Sequence, residues 1–204
     1  MSHILSLRAM MLVLALCACA LAPAFAGSSR AGELPTTSVY QLDVPLVDQD
    51  GKGQHLADRR GRPLVIAMFY TSCHNVCPLV VDTMLATERA LAADAHDGID
   101  VLFVSFDASR DDPIALKHLV DLRRLDTNRW TLARTEPANV RKLAAVLGIQ
   151  YRQLEDGEFN HSSALILLDA EGRIAARTER IGTTDPAFID AIASELAAAK
   201  QASH

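Results

Sequence analysis

Between residues 39 and 200 the chain alternates short unbroken apolar runs with longer stretches whose apolar positions recur every three to four residues. Leu64 to Tyr70, Ile99 to Phe106 and Ala164 to Leu168 are the unbroken runs, the pattern of strands buried on both faces. Helices are predicted from about Cys77 to Asp94, Pro113 to Leu125, Pro137 to Leu147 and Pro186 to Lys200. The first places Val80, Val81, Met84, Leu85 and Leu91 on one face, tolerates Pro78 in its opening turn, and follows the strand to Tyr70 almost directly. Gly148 stands in the capping position after the third. Tyr40 to Val47 and Gln54 to Leu56 read as short strands around Asp50-Gly51, a hairpin signal. Trp130 to Ala133 is a further short strand, and Asp169 to Gly172 turns the chain into a last one ending at Thr178. Strands alternating with helices, with a hairpin near the end, predict an α/β layered fold.

The chemistry of the chain is concentrated where the first apolar run meets the first helix, at Phe69-Tyr70-Thr71-Ser72-Cys73-His74-Asn75-Val76-Cys77-Pro78. The first turn of a helix presents unpaired N–H groups and the positive end of the macrodipole, which favour thiolate over thiol, so both sulfurs are expected to ionise easily. With three residues between them the sulfurs can share one side of the turn, close enough to bridge or to hold one metal ion. Two readings stand at this point: a redox pair or a soft-metal site.

The N-terminus changes what those cysteines mean. Met1 to Arg8 is basic, Ala9 to Ala22 is almost wholly apolar, and Ala24-Phe25-Ala26 before Gly27 is a small-residue cleavage signal, so residues 1–26 read as a signal peptide. The apolar core is short of the roughly 20 residues that span a bilayer. The alternatives are an uncleaved anchor and a lipoprotein acylated on Cys19, in Leu16-Cys17-Ala18-Cys19. Residues 27–38, small and polar, are expected to be a tether, 39–200 the domain and 201–204 a tail. Of four cysteines the processed chain keeps Cys73 and Cys77, in an exported, periplasmic setting where thiols oxidise unless a metal or reductant holds them. A formal net charge of −5 argues against nucleic acid as the partner.

A structural disulfide is the plainest use of two exported cysteines, but closing a loop of about five residues stabilises by only roughly 2 kcal/mol, which a domain of this size hardly needs. Most of the histidines have equally plain readings. His3 lies in the leader, His55, His96 and His118 in turns or on helix surfaces, and His204 at the tail. His74, between the cysteines, is expected to face solvent. His161 differs, because it directly precedes the buried run from Ala164; a parallel sheet is expected to place its loop at one end of the central strands, beside the cysteine turn.

Taken together, Tyr70-Thr71-x-Cys73-x-x-x-Cys77-Pro78, the strand end Val104-Ser105-Phe106-Asp107 with Arg110-Asp111-x-Pro113 after it, and His161-Ser162 resemble the Sco/SenC copper-chaperone family from about Val39 to Lys200. The resemblance implies a thioredoxin-like fold, a central mixed sheet flanked by helices with an N-terminal β-hairpin extension. It implies one copper ion per chain, bound by Cys73, Cys77 and His161, with Asp107 near the site, supporting the ligands or docking a partner rather than coordinating. His74 stands where the family often has proline, and Asn160 where it often has aspartate; neither change removes a ligand.

The donor set agrees with that implication, since two thiolates and an imidazole suit Cu(I) and also Cu(II), whereas zinc asks for a fourth ligand. The partner that the resemblance implies is a copper-accepting protein such as a cytochrome c oxidase subunit, whose dinuclear copper site would be assembled, and the thiols call for a reductant as well. The alternative function is a thiol-disulfide oxidoreductase that keeps a partner's cysteines reduced, with Cys73 and Cys77 as its redox pair. A thioredoxin-type reductase more usually has two residues between its cysteines, and the Pro-x-x-x-Thr-x-x-Cys pattern of peroxiredoxins is missing here.

Overall fold

The computed structural model describes residues 32–73, 76–91 and 98–202. The chain divides into Met1–Glu33 and Leu34–His204, and the fold is that of the second unit. The leader with Cys17 and Cys19, residues 27–31 of the tether, and His3, His74, His96 and His204 lie outside the described residues.

Nine strands are described. Seven form one sheet: β1 (Pro45–Asp48), β2 (Gly53–His55), β3 (Leu64–Phe69), β4 (Asp100–Ser105), β5 (Trp130–Arg134), β8 (Leu165–Leu168) and β9 (Ile174–Thr178), in the order β2-β1-β5-β4-β3-β8-β9. The other two, β6 (Tyr151–Gln153) and β7 (Phe159–His161), pair as a separate hairpin. The helices are α1 (Val76–Ala90), α2 (Pro113–Arg123), α3 (Pro137–Val146) and α4 (Pro186–Ala202). This mixed sheet with flanking helices is the expected thioredoxin-like α/β architecture, including the N-terminal hairpin β1–β2.

The three apolar runs become the centre of the sheet. Every residue of β3 and β8 is buried, as is β4 beyond its first position. Phe69, Phe103 and Trp130 pack in series as tilted rings with centroids 5.9 and 5.2 Å apart, and α1 adds Val80, Val81 and Met84 from its apolar face. The Trp130 indole N–H is satisfied by the buried Glu88 carboxylate, which also takes the Arg129 guanidinium.

Strand direction corrects one expectation. β3 runs parallel to β4, Phe69 opposite Ser105, and β4 runs parallel to β5, but β8 is antiparallel to β3, with Leu64 opposite Leu168 and Ile66 opposite Ile166. In a parallel arrangement the residues before β8 would lie at the amino end of β3, far from the cysteines. The antiparallel pairing puts them at its carboxyl end instead, so His161 does reach the cysteine turn, for a different reason from the one expected.

Element ends differ for local reasons. Val39–Gln41 is a 3-10 turn rather than the start of a strand, because the Ser38 hydroxyl accepts the Tyr40 N–H at 3.1 Å and the Val39 N–H donates to the Gly172 carbonyl at 2.8 Å. At Gly172 (φ +80°) any Cβ would fall against the Tyr40 ring and the Ser38 hydroxyl, so this turn admits only glycine. Helix α2 stops two residues early where Arg124 turns left-handed, its N–H donating to the Val120 and Asp121 carbonyls. Helix α1 ends at Ala90, short of the expected Asp94, which is outside the described residues.

Candidate metal centre

The site is built at the carboxyl end of the parallel strands, where loops leaving adjacent strands converge. From Phe69 the chain turns through Tyr70 and Thr71 to Cys73, and α1 opens with Cys77 as its second residue. A buried carboxylate from the neighbouring loop holds the turn. Asp111, fully buried, accepts the Thr71 N–H at 2.9 Å, the Thr71 hydroxyl and the Ser105 hydroxyl. The backbone two residues before Cys73 is thereby tied to the end of β4. Nothing in the apolar pattern marked Asp111 for this task; its place in the Arg110-Asp111-x-Pro113 motif was the only signal.

The two sulfurs have different surroundings. The Cys77 N–H donates to Cys73 Sγ at 3.4 Å, so the helix start acts on Cys73 as expected. Cys77 does not share that benefit. Burial pushes its thiol well above the ordinary value, and the adjacent Cys73 thiol and Asp111 carboxylate push the same way. The expectation that both sulfurs ionise easily is therefore corrected: the helix terminus faces one sulfur, and the other lies against the core.

His161 closes the site from β7. Its Nε2 is 3.9 Å from Cys77 Sγ, and its Nδ1 is 3.1 Å from the Ser162 carbonyl. A carbonyl can only accept, so Nδ1 carries the hydrogen and the Nε2 lone pair is the one turned toward the sulfur. Burial lowers the imidazole pKa, against the pull of that hydrogen bond, and so favours the neutral ring. Phe106 and Tyr70 frame it, with centroids 4.9 and 5.9 Å away.

One ligand atom from each of Cys73, Cys77 and His161 lies within 4.8 Å of the other two. Sulfur and nitrogen bound to one ion at about 2.3 and 2.0 Å can be at most about 4.3 Å apart, so the Cys77–His161 pair already meets the requirement. Beside the sulfurs a cavity of about 360 Å³ opens between α1 and α2, lined by Pro78, Val81, Leu119 and Leu122 among others. The site can therefore be approached by another molecule.

Asp107 lies on the loop after β4 and touches none of the three candidate ligands in the contacts described. Its carboxylate accepts the Ser109 hydroxyl at 2.6 Å, the Ser109 and Arg110 N–H groups, and the Arg110 Nε–H. Burial acts to raise its pKa, but these donors outweigh burial and hold it below the usual value. His55 pairs with Asp43 on the surface and His118 is exposed on α2. The hairpin that carries His161 escaped the sequence reading, although Asp156-Gly157 at its turn was a usable signal.

The SCO1/SenC family model matches residues 34–197. The chain belongs to the SCO1/SenC family. It is 28% identical over 139 residues to the SCO2-like protein RC0895 of Rickettsia conorii, an overlap of 64% of this chain and 65% of that protein. Over 146 residues it is 25% identical to the mouse mitochondrial protein SCO2 homolog, covering 70% of this chain and 57% of that one. The chain thus spans less than two thirds of the length of these curated relatives. BsSco, a member of the Sco family of cytochrome c oxidase assembly proteins, superimposes with a TM-score of 0.66 at 19% identity, over 82% of this chain and 96% of its own. ScoI of Bradyrhizobium japonicum, solved with copper bound, gives 0.57 at 22% identity, over 76% and 96%. These likenesses establish the fold.

Proposed function

We propose that this chain is a copper metallochaperone in which Cys73, Cys77 and His161 hold one copper ion for delivery to an acceptor protein, the dinuclear copper site of cytochrome c oxidase being the target. The observation that carries the reading is the convergence of two sulfurs and an imidazole from separate elements within 4.8 Å. Two soft thiolates and one nitrogen suit Cu(I) in a low-coordinate site, and such a site leaves room for an incoming ligand. Family membership and a relative solved with copper support the same reading. Copper here is cargo, bound after a thiol reductant has kept both cysteines reduced.

Titration of the reduced protein with Cu(I) tests this. One ion per chain is expected, nearly abolished in Cys73→Ser or Cys77→Ser. No uptake, or equal uptake by the double cysteine variant, would end the chaperone reading. The helix N–H aimed at Cys73 Sγ favours a second reading, in which Cys73 and Cys77 are oxidised to a disulfide as a partner's disulfide is reduced to two thiols. Full biological activity in His161→Ala would favour that reading, since only copper binding needs the imidazole. Export belongs to the proposal as well. The periplasmic protein should begin at Gly27, whereas a start at Cys19 with an acyl mass would make it a lipoprotein and an intact leader would make it an anchored one.

A further inference from the structure

The hairpin that presents His161 is fastened differently from every other strand described. Among the described residues β6 and β7 pair only with each other, Tyr151 opposite His161 and Gln153 opposite Phe159, and share no ladder with the seven-stranded sheet. At one end the hairpin is hinged where the Ser162 N–H donates to the Gln150 carbonyl at 2.9 Å and the Gln150 N–H to the Ser162 hydroxyl at 3.0 Å. Along its length it leans on Phe106, whose ring lies 5.0 Å from Tyr151 and 6.1 Å from Phe159. Apolar contacts of this kind hold a hairpin against the body but tolerate sliding. A directional bond is needed to fix where it stops.

The far end carries that bond. Arg110 Nη2 donates to the Gly157 carbonyl in the hairpin turn at 2.6 Å, while its Nε is held by the Asp107 carboxylate. The Asp107 side chain is 1% exposed and is gripped by its own loop, so one end of the guanidinium fork is fixed to the exit of β4 and the other to the hairpin. Arg110 also stands 3.6 Å from Glu158, which accepts the Tyr70 hydroxyl at 2.8 Å. That Arg110–Glu158 pair is long and more than a third exposed on both sides, and contributes little. The clamp is the Asp107–Arg110–Gly157 chain.

We infer that Arg110 is a positioning residue for His161: by bridging Asp107 to the Gly157 carbonyl it latches the β6–β7 hairpin at the depth where the imidazole faces the two sulfurs. This rests on the reading of His161 as a ligand. Arg110 touches no ligand atom in any contact described, and the latch lies at the turn while His161 lies near the hinge. A moderate effect is therefore expected, at the low end of the 10–100-fold loss typical when a residue supporting a metal ligand is removed.

The test uses the full chain, reduced, with Cu(I) partitioned against a chromophoric chelator. Arg110→Ala should bind copper about tenfold more weakly, and the same change made on top of His161→Ala should add nothing, because the latch acts only through the imidazole. The Cu(II) complex of Arg110→Ala should shift its thiolate-to-copper absorption toward that of His161→Ala. Arg110→Lys should not restore wild-type behaviour, since a single ammonium cannot hold Asp107 and reach Gly157 together. Without copper, amide exchange across residues 151–161 should quicken in Arg110→Ala while the unfolding midpoint stays close to wild type. Wild-type affinity and spectrum in Arg110→Ala, or losses that multiply in the double variant, would overturn the inference. If His161→Ala alone leaves copper affinity unchanged, the three-ligand reading falls and the positioning role with it; accelerated exchange would then identify Arg110 as a purely structural latch.

Discussion

The two cysteines and the histidine reach the same few ångströms from opposite kinds of structure. Cys73 and Cys77 hang from β3, a fully buried strand paired on both sides, and from a helix whose first turns are packed into the core. His161 comes from a three-residue strand, half-buried at best, fastened by ring contacts, a hinge, one arginine and the Tyr70 hydroxyl. The sulfurs are thus part of the frame, and the imidazole is an attachment to it. The proposed chaperone role would gain from that division, the sulfurs retaining an ion while the nitrogen is exchanged.

The comparison is broken most severely from the sulfur side. With Cys77→Ser, one sulfur and one imidazole cannot hold a soft ion against a competing chelator, so binding should fall below detection; the fold, which loses one buried sulfur, should survive in circular dichroism. Next in size is a crossing of two variants. Ile66→Ala, in the middle of β3 and paired on both sides, should cost about 2–5 kcal/mol of unfolding free energy yet leave the copper affinity of the folded fraction close to wild type. Phe159→Ala should do the opposite, costing less stability and loosening copper, because its ring supports the hairpin rather than the sheet. Equal ranking of these two in both denaturation and chelator competition would erase the distinction.

Protons separate the two sides as well. Burial holds the Cys77 proton on past the usual thiol range, so copper must displace it, and affinity should rise with pH by about tenfold per unit for each thiol proton released. The imidazole pKa is lowered instead, so at a pH well above the ordinary histidine range it has little proton to lose. The pH slope between about 7.5 and 8.5 should therefore be the same in wild type and His161→Ala, although their affinities differ. A flatter slope in the variant, measured by the same chelator competition, would mean that His161 titrates in that range.

The frame was legible in the sequence and the attachment was not. Leu64 to Tyr70, Ile99 to Phe106 and Ala164 to Leu168 announced buried strands because unbroken apolar runs of that length have few other uses, and Pro78 with the apolar face after it announced α1. Direction was not encoded there: Leu165-Ile166-Leu167-Leu168 reads equally well either way, and only the register of Leu64 with Leu168 and Ile66 with Ile166 shows that it runs antiparallel to β3. Strands as short as Tyr151–Gln153 and Phe159–His161 offer no alternation to detect. The unequal thiols were hidden for a related reason, since a helix terminus is visible in sequence but which sulfur it faces depends on how the turn is packed.

The smallest expected effect is also the finest probe of how the hairpin is held. Tyr70 leaves β3 on the sulfur side, yet its ring edge meets Phe159 at 5.2 Å and its hydroxyl donates to Glu158 in the hairpin turn. Tyr70→Phe removes the hydroxyl and keeps the ring. A hydrogen bond to a charged group can be worth about 1.5–3 kcal/mol, but the Glu158 side chain is 38% exposed and water replaces the lost donor, so about 0.5–1 kcal/mol is expected. Arg110 still grips the Gly157 carbonyl in this variant, and the hairpin should keep its depth. Copper affinity should then change by no more than about threefold, less than for Arg110→Ala. A loss in Tyr70→Phe that exceeds the loss in Arg110→Ala would move the latch from the β4 exit to the cysteine loop itself, and would make the histidine's position depend on the same turn that carries the sulfurs.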